Sequence, residues 1–382
     1  MTRALRWTAA AGLVLAAVGC TGSGTLAPAA GGGGGGAKDR CVTSRDLSCA
    51  EQRAVLAIRR AAQASRHVWG GQFRLSNLPI LLVSTANPGG RARGILINAA
   101  RAPRDAQRVA TEAVAGAEVY RLDRAARAAQ RAIRKANGRF DNFFRFEGAE
   151  LVAMRYTPRD ARGVASARSD WLDLLVHESF HVYQQRWEQP PDGSQDESRY
   201  PKNHEVLALG LLEASIALDA LRTRDAARCR RYLGQLVSAR TAKARAEPGR
   251  RRMVARMDGL QETLEGSAEH FERRVRERLA PRRTAACVSE RADIVDGIIA
   301  GSIRGARARQ FFSWELFYLT GAAWLSLLEC TNTPYRQAIE SGATPFEVAR
   351  RVVAPSGEAL AAAKRAQHFA KLRRVTRRFA ID

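Results

Sequence analysis

The chain has 382 residues and a formal net charge of +24, from 62 Lys and Arg against 38 Asp and Glu. Hydrophobic residues make up 46% of it, which is enough for a sizeable core and excludes a wholly disordered chain. Basic runs of this kind attract polyanions, and the alternatives are a solvated face and the arginine bias of a GC-rich genome. Aromatic side chains are not interleaved with the arginine runs, so the composition argues against specific nucleic-acid binding and leaves anionic surface polymers as partners.

The N-terminus has the pattern of a bacterial lipoprotein signal. Arg3 and Arg6 precede an apolar run over residues 8–17, and the small-residue box Ala-Val-Gly-Cys ends at Cys20. The run is too short to span a membrane. We predict a signal peptide over 1–19, lipidation of Cys20 and a lipid anchor in the cell envelope, on the outer membrane if the cell is Gram-negative. An ordinary secretory signal that happens to end in Cys is the alternative.

A flexible linker follows. Residues 20–40 contain six consecutive glycines and cannot bury a core. Beyond it we predict two lobes, an N-terminal α+β lobe over 41–200 and a helical C-terminal lobe over 201–382. The exported location favours disulfides. We predict a Cys41–Cys49 disulfide. Of the other three cysteines at most one pair can form, and we predict Cys287–Cys330, with Cys229 unpaired.

The first predicted elements form a small mixed sheet. Apolar periodicity predicts a helix over 46–65, and two apolar runs predict strands over 78–84 and 94–98 with a turn at 87–90 between them. The Ala- and Arg-rich stretch 104–137 is predicted to be helical.

The rest of the chain is mainly helical after two further strands. Those strands are predicted over 143–146 and 149–156, and a helix from Asp170 to about residue 188 comes next. Long helices follow, and they are predicted over 203–245, 250–280 and 289–330.

The helix at 170–188 contains the most informative motif, His-Glu-Ser-Phe-His at residues 177–181. Four-residue spacing places His177 and His181 on one helical face, where both imidazoles can bind one ion. Glu178 then faces the open position of that ion and can take a proton from a metal-bound water. Two surface histidines on an amphipathic helix are the alternative.

A hydrolytic zinc site needs a third protein ligand. We predict Glu265, because the small residues at 266–268 let its helix approach the motif helix closely. Glu269 lies one turn later and can accept the N–H of a metal-binding His. The alternative is a solvated acidic face formed by Glu262, Glu265 and Glu269.

Two segments together resemble the gluzincin branch of the zincin-like metallopeptidases. They are Leu-Leu-Val-His-Glu-Ser-Phe-His-Val-Tyr-Gln at 174–184 and Glu-Gly-Ser-Ala-Glu at 265–269. A Tyr-x-x-Gly segment at 318–321 is also similar to predicted bacterial members. The resemblance implies a zincin-like α+β fold, with a small mixed sheet, then the motif helix, then a mostly helical C-terminal region. It also implies that an edge strand pairs with a peptide or protein substrate.

The resemblance also implies the role of each site residue. Zn²⁺ would be held by the metal ligands His177, His181 and Glu265. Glu178 would be the general base, and Tyr318 an oxyanion donor.

One position departs from the resemblance. His270 stands where an aromatic residue is commoner in the family, which leaves its role open between an oxyanion donor and a structural residue.

Three functions are compatible with these features. The first is a membrane-anchored zinc metallopeptidase that uses a Glu-activated water. The second is a catalytically idle zincin-fold lipoprotein that acts as a scaffold. The third is a polyanion-binding envelope protein in which the motif is accidental. An intact Glu178 favours the first over the second, because a scaffold needs the metal ligands but not the base.

Overall fold

The structure is a computed structural model and describes residues 41–378. Gaps fall at 45, 71–72, 85–91, 115, 137, 139, 158–159, 161–169, 191–199, 201–202 and 248–251. The predicted signal peptide, Cys20, the linker and the turn at 87–90 lie outside the described residues. The chain divides into two compact units, Met1–Val182 and Tyr183–Asp382, whereas the sequence analysis drew the boundary after residue 200.

The described part of the first unit contains one six-stranded mixed sheet, and the chain as a whole is α+β. Its strands are β1 (Ile80–Ser84), β2 (Arg93–Ile97), β3 (Gln107–Arg108), β4 (Val119–Arg121), β5 (Phe140–Phe146) and β6 (Ala149–Tyr156). The spatial order is β3-β4-β2-β1-β6-β5. β1 pairs antiparallel with β2 and parallel with β6, and all five of its residues are buried. The predicted mixed sheet is confirmed.

Two helices accompany the sheet. Helix α1 (Cys49–Ser65) begins with a capping box formed by Ser48 and Glu51, as expected for a helix predicted over 46–65. Helix α2 (Asp123–Ala136) packs its small alanine face on the sheet.

The helix predicted over 104–137 is wrong in its first half, where β3 and β4 occupy the chain. Val119 and Tyr120 complete the ladder with β2, so burial of these side chains in the sheet overrides the alanine-rich local preference.

The motif helix, α3, runs from Asp170 to Gln184 and is shorter than predicted. After it the chain turns, with the Trp187 amide donating to the Gln184 carbonyl at 3.0 Å. Glu188 then forms a bridge to Ser341, and its amide donates to the Glu340 carbonyl at 2.9 Å. This bridge requires extended backbone at the position where the sequence predicted a last helical turn.

The described part of the second unit is helical. Its α-helices are α4 (His204–Leu221), α5 (Ala226–Ala246), α6 (Gly259–Gln261), α7 (Ser267–Leu279), α8 (Pro281–Ala300), α9 (Gly305–Gln310), α10 (Leu316–Cys330), α11 (Arg336–Glu340), α12 (Pro345–Val352), α13 (Gly357–Ala366) and α14 (Phe369–Thr376). Wider π-helical turns occur at Val254–Asp258, Glu262–Gly266 and Phe311–Glu315.

Two of the long predicted helices are broken. The one predicted over 203–245 stops at Leu221 and restarts behind Asp225, whose side chain caps α5 by accepting from the Arg228 amide at 2.8 Å. The one predicted over 289–330 stops at Gly301, which adopts φ 78° and ends α8. The segment Gly305–Cys330 is long and apolar enough to cross a membrane, but 89% of its apolar window is buried inside the protein, as in a core helix.

The helix that bears Glu265 crosses α10 at unusually close range. A Cβ atom on Gly266 would lie 2.5 Å from the Gly321 Cα, and a Cβ on Gly321 would lie 2.9 Å from the Glu262 carbonyl oxygen. Only glycine fits at this crossing. The small residue at 266 therefore serves the contact with α10.

The disulfides agree only in part with the prediction. Cys41 and Cys49 form the predicted pair. Cys330 is bonded to Cys229, with the two Cα atoms 6.1 Å apart, so the predicted Cys287–Cys330 pair is wrong. The physical reason is the packing of α5 against α10, which brings Cys229 to the end of α10.

Candidate metal centre

The motif helix is held by aromatic contacts in the first unit. The Trp171 indole donates to the Arg155 carbonyl on β6 at 3.1 Å. Phe180, which is fully buried, packs edge-to-face on Trp69 and Phe73, with ring centroids 4.9 and 5.4 Å away. These contacts fix the rotation of α3 about its axis.

With α3 held in this rotation, the two motif histidines lie together. Their ring centroids are 4.8 Å apart, and the rings are inclined at 77°. His177 and Glu178 are only 5% and 6% exposed, and His181 is half-buried. This burial does not agree with the alternative of two histidines on a solvated helix surface.

The last residue of the motif helix approaches the segment that bears Glu265. Gln184 is buried, and its side-chain amide donates to the Leu264 carbonyl at 2.8 Å. Leu264 directly precedes Glu265, within the π-helical turn Glu262–Gly266. π-Helical turns are rare and are frequently found at functional sites. Gln184 is the last residue of α3, one helical turn after His181. Its hydrogen bond joins that end of α3 to the π-helical turn within the second unit.

The three predicted ligands belong to two units. His177 and His181 lie on α3 in the first unit, with ring centroids 4.8 Å apart, and Glu265 lies in the π-helical turn Glu262–Gly266 of the second unit. Two imidazoles and one carboxylate are the donor set that catalytic zinc sites use, with a fourth position left for water. The residues present therefore fit Zn²⁺.

Glu269 lies one helical turn after Glu265, on α7. Its carboxylate is paired with Arg291 at 2.8 Å, and Glu272 is paired with Arg276. Carboxylates already neutralised by arginine are weaker metal ligands, which suits Glu269 to the predicted role of hydrogen-bond acceptor behind a metal-binding His.

The alternative of a solvated acidic face is wrong. Glu262 is fully buried and Glu269 is 5% exposed. Arg240 donates to both carboxylate oxygens of Glu262, at 2.8 and 2.5 Å. Glu262 is thus bound to an arginine, whereas Glu265 is half-buried.

The two predicted oxyanion donors differ in their surroundings. Tyr318 is 7% exposed on α10, with its ring 5.9 Å from that of Trp314. His270 is fully buried, and its two ring nitrogens lie 3.4 Å from the Ser326 hydroxyl and 3.4 Å from the Tyr335 hydroxyl. Because both nitrogens of His270 have partners in the helical core, the geometry favours the structural interpretation of this residue.

Sequence reasoning missed Gln184 and Arg240. A signal for Gln184 was present, because its three-residue spacing from His181 puts it near the same helical face. Arg240 gave no signal among the many arginines of α5.

No protein family, curated protein or solved structure matches this chain.

Proposed function

We propose that the protein is a zinc-dependent metallohydrolase, most specifically a peptidase of the gluzincin type on a zincin-like fold. The observation that carries the proposal is the pair of motif imidazoles on α3, with the ring centroids of His177 and His181 4.8 Å apart and the intervening Glu178 only 6% exposed. The order of the elements, a mixed sheet, then the motif helix, then helices, also supports it.

In this proposal His177, His181 and Glu265 would hold the ion. Zinc at such a site supplies Lewis acidity and lowers the pKa of a water that it binds. Glu178 takes the proton from the attacking water and returns it to the leaving amine. Its low exposure suits this task, because a carboxylate shielded from bulk water acts on the bound water alone. Tyr318 would donate a hydrogen bond to the oxyanion of a peptide or protein substrate.

The proposal is tested by comparing zinc content and peptidase activity in two variants. Glu178→Gln should keep about one zinc per chain and lose about 10²- to 10⁴-fold in activity, since only proton transfer is removed. Glu265→Ala should raise the zinc dissociation constant by more than about 100-fold, because a lost ligand costs more than a lost outer partner.

The control is Glu188→Gln, which alters an exposed carboxylate and should change neither quantity. A purified wild-type chain that takes up no zinc on loading would refute the proposal. Full zinc occupancy in Glu265→Ala would refute the assignment of the third ligand. Normal zinc with no peptide hydrolysis by the wild type would favour the scaffold.

A further inference from the structure

Five charged side chains form a buried network in the second unit. Each is no more than 3% exposed, and they are Glu213, Arg240, Lys243, Asp258 and Glu262. Arg240 and Lys243 lie three residues apart on α5, one helical turn, so both project from the same face. The network brings together α4, α5 and the chain segment that contains Glu265.

The two cations divide their contacts between two attachment points. On one side both reach Glu213 of α4, Arg240 at 2.6 Å and Lys243 at 3.0 Å. On the other side Lys243 donates to Asp258 at 2.8 Å, and the Arg240 guanidinium donates to both carboxylate oxygens of Glu262. A two-point arginine–carboxylate contact fixes orientation as well as distance.

Both carboxylates on this second side belong to π-helical turns. Asp258 ends the turn Val254–Asp258, and Glu262 begins the turn Glu262–Gly266. A π-helical turn is an uncommon backbone form and needs outside support to persist. Thr320 and Trp324 of α10 also bond the Glu262 carboxylate, the indole at 3.3 Å. Glu262 is thus held from two helices at once.

Stability alone is a weak explanation for this network. Three carboxylates face two cations, and burying charges costs as much as or more than their attraction returns. Burial raises the pKa of the Glu262 carboxyl, against the opposing attraction of Arg240. In other proteins, replacing buried ion pairs with apolar side chains of similar volume is often neutral or stabilising. A requirement for one fixed geometry accounts for the charges better.

We propose that Arg240, acting through Glu262, is a positioning residue that holds the turn Glu262–Gly266 and with it Glu265, the proposed third metal ligand. This inference rests on the proposed function, since it assigns Arg240 to the geometry of the third metal ligand. Glu265 lies three residues after Glu262 in the same turn. A shift of that turn displaces the ligand without removing it.

A matched pair of variants tests the proposal. Glu262→Gln and Glu213→Gln each remove one of the three carboxylates and leave two negative against two positive charges. Both side chains are fully buried and bound by Arg240. Only Glu262 lies on the turn of Glu265. We expect Glu262→Gln to raise the zinc dissociation constant by about 10- to 100-fold, the range for partners behind a ligand, and Glu213→Gln to change it by less than about threefold.

The measurements are chelator competition for zinc affinity and the thermal midpoint of the metal-free protein. If the network serves stability alone, the thermal midpoint should fall in both variants and the zinc dissociation constant should change equally in both. That result would overturn the proposal. Unchanged affinity in Glu262→Gln would also overturn it. If Glu262→Gln does not fold, Thr320→Val is the second variant, because it removes one hydrogen bond to Glu262 without a charge change. It should raise the zinc dissociation constant by a smaller factor. Unchanged zinc affinity in Thr320→Val would refute the inference.

The wild-type result distinguishes the two levels of the proposal. A wild-type chain without zinc refutes the proposed function and this inference with it. A zinc-binding wild type whose Glu262 variant retains full affinity refutes the inference alone.

Discussion

At the scale of single residues, Glu329 has an unusually crowded set of partners. It accepts hydrogen bonds from the Tyr335 hydroxyl at 3.0 Å and from Arg336 at 2.9 Å, and the fully buried His270 lies 3.4 Å away. Burial alone would raise the pKa of Glu329, but the neighbouring His270, Arg274 and Tyr335 lower it to about 2. The ionised form of Glu329 is therefore favoured in the folded state.

This shift predicts how stability depends on pH. A carboxyl whose pKa is lower in the folded than in the unfolded state stabilises above its unfolded value, and the gain disappears as the pH falls towards its folded value. A shift from 4.5 to about 2 corresponds to at most about 3 kcal/mol. Glu329→Gln should therefore reduce the free energy of unfolding most at pH 7, and the difference from wild type should shrink between pH 4.5 and 2.

Urea titrations across that pH range measure the difference. Glu188→Gln, at an exposed position, should differ little from wild type at any pH. If Glu329→Gln lowers the free energy of unfolding equally at pH 7 and pH 3, the shape of the side chain and not its charge is responsible for the loss of stability.

Which individual residues could be predicted depends on how far apart in sequence the partners lie. His177, Glu178 and His181 follow from helical spacing alone, because one helix presents them together. The sequence singles out Glu265 by the small residues after it, but it does not show that Glu262 is occupied by another partner. What distinguishes them is Arg240, 22 residues upstream of Glu262, and no local pattern indicates which carboxylate it binds.

At the scale of elements, the close crossing of Gly266 and Gly321 holds the Glu265 segment against α10. Gly321→Ala would place a methyl group 2.5 Å from the Gly266 Cα. Because the obstacle is backbone on both sides, we expect a loss of about 1–3 kcal/mol or more in the free energy of unfolding.

Gly357→Ala is the matched control for this prediction. Gly357 is also helical, at the start of α13, but a Cβ there meets nothing within 4 Å. Its replacement should leave stability unchanged or raise it by up to about 1 kcal/mol. Equal chemical-denaturation midpoints for the two variants would contradict the close approach.

Elements with strong apolar runs were predicted well, since β1, β2 and β6 must be buried wherever the sheet forms. The stretch at 104–137 was not, because its alanines suit a helix while Val119 and Tyr120 pair with β2. The breaks at Leu221 and Gly301 depend on capping and on packing between distant helices.

At the scale of the whole molecule, the predicted lipid on Cys20 should decide where the protein is found. Cys20→Ala should move the protein from the membrane fraction to the soluble fraction at high salt, because the hydrophobic anchor is lost. Fractionation at low and high salt measures this. Retention of the variant at low salt only would indicate attraction by the arginine-rich surface. Retention at both salt concentrations would contradict the anchor.

The Cys229–Cys330 bond joins residues 101 positions apart in sequence, and the segment that contains Glu265 lies within the covalent ring that it closes. The ring cannot close until the chain as far as residue 330 has reached an oxidising compartment. Closing a loop of this length removes about 4.7 kcal/mol of conformational freedom from the unfolded chain in the loop-entropy description. On the proposed export route, the segment that bears Glu265 would be enclosed covalently only late, which would couple assembly of the proposed metal centre to secretion.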